Sequence, residues 1–158
     1  DEWLKQNERS TRNFIRKWGH FVKHDEMMQP IIPPKYDIGF VVENCNYEML
    51  RTLEPWCSDI YGDFVGHKGF HVNKYIEEEQ KNTDYDLSKK IHSDHTLPSN
   101  DIVVKFDATQ LTQDSFQILV ELSSILEDSG EVGTMSHNIF ELEIKNLNTY
   151  EKELINVV

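Results

Sequence analysis

Apolar positions set the first element of the chain. Trp3, Leu4, Thr11, Phe14, Ile15 and Trp18 recur at three- and four-residue steps, which predicts a helix, and Gly19 is placed to stop it. Lys5, Arg9, Arg12 and Arg16 follow the same spacing on another face. The helix is therefore expected to carry large apolar rings on one side and bases on the other, and to dock on its own domain or a neighbouring one, with a membrane surface or a second copy of the chain as alternatives. A connector follows, ending in Gln29-Pro30-Ile31-Ile32-Pro33-Pro34, where three prolines force extended backbone. This is the candidate boundary: residues 1–29 form the amphipathic helix and its connector, and residues 30–158 form the body.

In the body the period changes. Tyr36 to Val42 is a nearly continuous apolar run, the pattern of a strand buried on both faces. Asn44 or Asn46 can cap a helix carrying Met49, Leu50 and Leu53, which Pro55 should end or bend. Asp59 to Val65 reads as a short strand, followed by the loop Gly66 to Gly69 and a helix from about Asn73 through Gln80. Asp101 to Asp107 is a second confident strand. Thr112 caps a predicted helix over 113–128, with Gly130 at its end. Ile139 to Lys145 alternates strictly, which marks a strand with one wet face at a sheet edge. Alternating strands and helices predict a small Rossmann-like, three-layer α/β domain with a mostly parallel sheet.

Composition narrows the function. The 158 residues hold 16 Lys and Arg against 28 Asp and Glu, a net charge of −12. The charge is uneven: residues 1–35 carry +2 and residues 36–158 carry −14. A body of that charge repels phosphate backbones, which excludes general nucleic-acid binding. No apolar run reaches the roughly 20 residues of a membrane span. Cys45 and Cys57 fall at opposite ends of a strand–helix unit and are expected as two free, buried thiols. With no Asn-x-Ser/Thr acceptor in the sequence, this points to a reducing, cytoplasmic location.

Most catalytic signatures are missing. There is no Gly-x-Gly-x-x-Gly or phosphate-binding loop after either confident strand and no Gly-x-Ser-x-Gly elbow. Asp84-Tyr85-Asp86 is an Asp-x-Asp triplet, but with this many Asp residues one arises by chance, and it follows the charged run Glu77-Glu78-Glu79, so a solvated loop is expected. The pairs His20/His24 and His67/His71 have a metal-compatible spacing without a third ligand at a telling distance, and no metal site is assigned. Glu43, Asn44, Asp63 and Asp107 lie at or just past the C-terminal ends of three strands, where open α/β sheets gather ligands. These four are the candidate ligand-binding residues. Their carboxylates favour a sugar hydroxyl network, or a nucleotide bridged by a divalent ion, over a bare phosphate.

The string Asn7-Glu8-Arg9-Ser10-Thr11-Arg12-Asn13-Phe14-Ile15-Arg16-Lys17-Trp18-Gly19 resembles the tail of nucleotide-sugar glycosyltransferases of the family-two, GT-A type, in which an Asn…Phe-x-x-Lys-Trp-Gly helix closes the catalytic domain. Residues 33–45 and 53–61 are similar to modules that trail such domains. The resemblance implies the C-terminal region of a glycosyltransferase, with the catalytic machinery upstream of these residues. Its partners would be a sugar nucleotide or glycan acceptor, and its cofactor a divalent cation such as Mn or Mg. No catalytic residue carries over to a position here, so the isolated chain is expected to be inactive. The alternative is a stand-alone, non-catalytic interaction domain whose basic helix docks a protein partner.

Overall fold

The computed structural model describes residues 2–19, 23–24, 26–31, 34–62, 70–93 and 97–149; for 23–24, 30–31 and 70–71 the backbone alone is described. The chain opens with α1 (Glu2–Trp18) and a small antiparallel pair, β1 (Lys23–His24) and β2 (Pro30–Ile31). Then come β3 (Ile38–Glu43), α2 (Tyr47–Leu53) with a 3-10 turn at Glu54–Trp56, β4 (Asp59–Gly62), α3 (Phe70–Glu79) with a 3-10 turn at Gln80–Asn82, α4 (Leu87–Lys90) and β5 (Ile91–His92). The second half holds β6 (Ile102–Asp107), a 3-10 turn at Ala108–Gln110, α5 (Gln113–Val120), α6 (Leu122–Ser129), β7 (Gly133–His137) and β8 (Phe140–Ile144).

Six strands form one sheet in the order β5-β4-β3-β6-β8-β7. The four strands from β5 to β6 are mutually parallel, and β8 and β7 add an antiparallel hairpin. This is an α/β fold with a mostly parallel sheet and an N-terminal helix. On one face Ile38, Phe40 and Val42 of β3, Val104 and Phe106 of β6, and Leu142 and Ile144 of β8 meet side chains from the helices in a single core. That core takes Ile15 of α1, Leu50 and Leu53 of α2, Tyr75 of α3, Leu87 of α4 and Leu119 to Leu126 of α5 and α6. All described helices that reach the sheet thus lie in one layer. A helical layer on the opposite face, as a three-layer fold requires, is not among the described residues.

Local chemistry explains the elements that match expectation. Gly19 ends α1 at φ +81° while its N–H bonds to Ile15 O. Asn46 caps α2 by accepting from Met49 N at 2.8 Å, and Pro55 turns the chain out of that helix. Thr112 and Ser115 close a reciprocal capping box at the start of α5. Both cysteines are free and buried; burial pushes the Cys45 thiol up to about 12 and raises Cys57 as well.

Four expectations are corrected. The long helix predicted over 113–128 breaks at Glu121, whose N–H serves both Gln117 O and Leu119 O. Apolar periodicity continues through Leu122 and Leu126, so the pattern carries no sign of the break. The alternating strand β8 is not an edge. Outside it runs β7, whose Gly-Thr-Met-Ser-His sequence is too polar to read as a strand, joined through a two-residue turn in which Asn138 takes φ +56°. The faces of α1 are also not as expected: Arg16 is 3% exposed while Trp3 is 73% and Leu4 49% exposed. Finally, Glu79, read as part of a solvated run, is buried. The last two corrections share a cause, because Arg16 and Glu79 belong to one cluster.

Candidate functional site

Two polar assemblies and one strand-end edge stand out. The first assembly joins α1 to the body. Glu54, fully buried at the start of a 3-10 turn, accepts from Arg16 Nη2 at 2.5 Å, from Lys90 Nζ at 2.6 Å and from Tyr75 Oη at 2.9 Å. Arg16 Nη2 also reaches Glu79 Oε2 at 2.6 Å, and its Nη1 donates to Asn13 Oδ1 at 2.7 Å. Arg12 grips Glu79 with Nε at 2.5 Å and Nη2 at 2.9 Å. The basic stripe seen in the sequence is therefore divided: Arg12 and Arg16 are held inward by carboxylates. α1 docks with Arg12, Arg16 and Ile15 turned inward, while Trp3 and Leu4 stay exposed.

Electrostatics follow from that geometry. Burial alone would raise the Glu54 carboxyl, but the Lys90 charge and the Arg16 hydrogen bonds outweigh it and hold the group down at about 2, from an ordinary 4.5. Glu79 is lowered in the same way, burial being overcome by Arg12 and Arg16. Tyr75 is raised by burial and by the Glu54 and Glu79 charges. A carboxyl depressed on folding contributes stability that is complete above its unfolded value and lost as pH falls through its folded value. The window here runs from about 4.5 down to about 2. A depression of that size corresponds to about 3 kcal/mol. Urea melts at pH 7 and pH 3 should show stability falling on acidification, with Glu54→Gln losing much of that slope; an equal slope in the variant would contradict the assignment.

The second assembly ties strand starts together. Asn100 Nδ2 donates to Asp37 Oδ1 at 2.6 Å and to Asp59 Oδ2 at 2.7 Å, while its Oδ1 accepts from Tyr61 Oη at 2.8 Å. His92 Nε2 lies 3.0 Å from Asp59 Oδ1, and the imidazole stacks on Tyr61 at 4.6 Å between centroids. Asn100 lies just before β6, Asp37 just before β3 and Asp59 at the start of β4. The amide thus links three parallel strands through side chains. Nothing in the local sequence of these residues signals that they meet.

The strand-end edge is where ligand binding was expected. Glu43 and Asp107 are register partners at the ends of β3 and β6. Asn44 follows at φ +56° and donates from Nδ2 to Asp107 Oδ1 at 3.2 Å. Asp107 is lowered by the Thr109 hydroxyl and N–H, which it caps at 2.7 and 2.9 Å, and then by Asn44. Three of the four expected residues are brought together at one exposed edge. Asp63 lies outside the described residues.

The remaining motifs resolve simply. Asp84, Tyr85 and Asp86 are exposed, and Asp86 caps α4 through Ser88 N. His20 and His67 lie outside the described residues, and the side chains of His24 and His71 do too. No group of three His, Cys, Asp or Glu able to hold a metal occurs among the described residues. No described helix is long and apolar enough to cross a membrane. No protein-family model, curated protein or solved structure matches the chain.

Proposed function

We propose that the chain is the C-terminal module of a family-two, GT-A type glycosyltransferase, assisting sugar-nucleotide or acceptor binding without complete catalytic machinery of its own. The observation that carries this reading is the ion cluster joining α1 to the body. The helix bearing the Asn…Phe-x-x-Lys-Trp-Gly resemblance is fixed by Arg16 to Glu54 and Glu79. A body clamped to the closing helix of a transferase domain would stand at a set angle to that domain. Flexible tethering would give no such placement.

The edge formed by Glu43, Asn44 and Asp107 is the ligand-facing part of this reading. Two carboxylates and an amide accept and donate at fixed angles, as sugar hydroxyls require. Beside this edge Asn46 caps the first turn of α2 by accepting from Met49 N. Asp63 lies outside the described residues; the two carboxylates and the amide that are described suit direct contact with sugar hydroxyls, and a nucleotide bridged by Mn or Mg is the alternative that the titration tests. Titration with nucleotide sugars should move the amide NMR signals of Glu43, Asn44 and Asp107 equally with and without Mn²⁺. Silence at these residues up to about 1 mM ligand would overturn the edge as a site.

A second reading, a non-catalytic interaction domain docking through α1, is supported by the exposure of Trp3 and Leu4. It predicts that a partner, or a second copy of the chain, covers the first two turns of that helix.

A further inference from the structure

A cleft of about 500 Å³ opens between α1, α2 and α3, beside the buried cluster, whose Tyr75 and Glu79 line it together with Arg12. It is within the size range of small-ligand sites. Its lining runs against the charge of the chain. In a protein of net −12, five cationic side chains and three anionic ones face this space. The anions are already engaged. Glu79 is held by Arg12 and Arg16, Glu8 faces Arg51 at 3.4 Å, and Glu78 accepts from Tyr47 Oη at 2.6 Å.

The cations are not all engaged. Lys5, Arg9 and Lys81 make no hydrogen bond or ion pair among the described residues. Arg12 uses Nε and Nη2 on Glu79, which fixes its guanidinium and leaves Nη1 without a partner among the described residues. Lys5 and Arg9 lie about one turn apart on α1, and Lys81 lies on the turn after α3, so positive charge stands on both banks of the cleft.

We propose that this cleft binds a compact polyanion of the diphosphate class, held by Lys5 and Arg9 from α1, by the outer edge of Arg12, and by Lys81 from the facing bank. A two-phosphate group carries enough oxygens to engage both banks at once, and a guanidinium fixed in advance loses little freedom on binding. The acidic body disfavours a long phosphate backbone, whereas a small anion sits within the local field of the cleft. The site is independent of the Glu43–Asp107 edge.

Inorganic pyrophosphate is the probe, titrated into the intact chain at low salt by calorimetry and by amide NMR. Saturable binding with a dissociation constant below about 1 mM is expected, with shifts at Arg9, Arg12 and Lys81. Arg9→Gln and Lys81→Gln should each weaken it about tenfold, the loss of one charge-assisted contact. Because neither side chain has a described partner, the melting temperature should not move. A nucleoside diphosphate run in parallel identifies the source of the group: tighter binding than pyrophosphate points to a nucleotide, equal binding to the diphosphate alone, and both sustain the site. No saturation by about 10 mM, binding unchanged by both variants, or shifts confined to Glu43, Asn44 and Asp107 would overturn it.

Discussion

Glu54→Ala should destabilise the chain by about 3–5 kcal/mol, enough to unfold a domain of ordinary stability at moderate temperature. Glu54 is fully buried and accepts from Arg16, Lys90 and Tyr75. Without it Lys90 keeps no described carboxylate, and Arg16 keeps Glu79, Asn13 and a long contact of 3.5 Å to the Tyr75 hydroxyl. The loss comes from cations stranded away from water more than from the missing contacts themselves. A matched test separates the two. The triple variant Arg16→Met, Glu54→Leu and Lys90→Met removes the charges together, and should be far less destabilised than Glu54→Ala in chemical denaturation. If the triple variant is the weaker of the two, the cluster is a net source of stability and the desolvation account fails. Detachment of α1 is the structural signature expected for Glu54→Ala, read as loss of protection in the amides of residues 9–18.

Gly39→Ala is the second large effect. Gly39 has an ordinary φ, so the reason for glycine is space. A Cβ there would fall within 2.8 Å of Asn100 Cγ, closer still to Asn100 Oδ1, and 3.1 Å from Tyr61 Cε1. Asn100 cannot swing aside cheaply, since its amide is bonded to Asp37, Asp59 and Tyr61. The methyl therefore displaces the hub that joins β3, β4 and β6, at a cost of about 2–4 kcal/mol from overpacking and lost hydrogen bonds. In a chain already carrying Asn100→Gly, where the clash is gone, Gly39→Ala should cost far less than in the native chain. An equal cost in both backgrounds would show that the clash is not the cause.

Both effects arise from residues that the linear pattern does not mark. Strands β3 and β6 were legible because continuous apolar runs bounded by polar residues have few other uses in a folded chain. The stop of α1 at Gly19, the Thr112 cap, the Asn46 cap as one of two candidates and the break at Pro55 were legible for a related reason: their chemistry is complete within four residues of sequence. The convergence of Glu43, Asn44 and Asp107 followed from strand ends and the parallel order of the sheet.

The rest depended on contacts between distant residues. β5 is two residues long and β7 is polar, so each is a strand only because a neighbour offers its backbone groups. Arg16 and Glu79 have the spacing of solvent-facing charges, and nothing near either of them distinguishes a solvated base from one with a buried carboxylate waiting 38 or 63 residues away. Gly39 reads as one more residue in an apolar strand until Asn100 is seen against it. Local sequence determined which segments become helix or strand, because backbone propensity and capping act over a few residues. Tertiary structure alone decided which charges are buried, which face of α1 docks and which cations have no partner among the described residues, because the energy of a buried charge is set by what surrounds it in space.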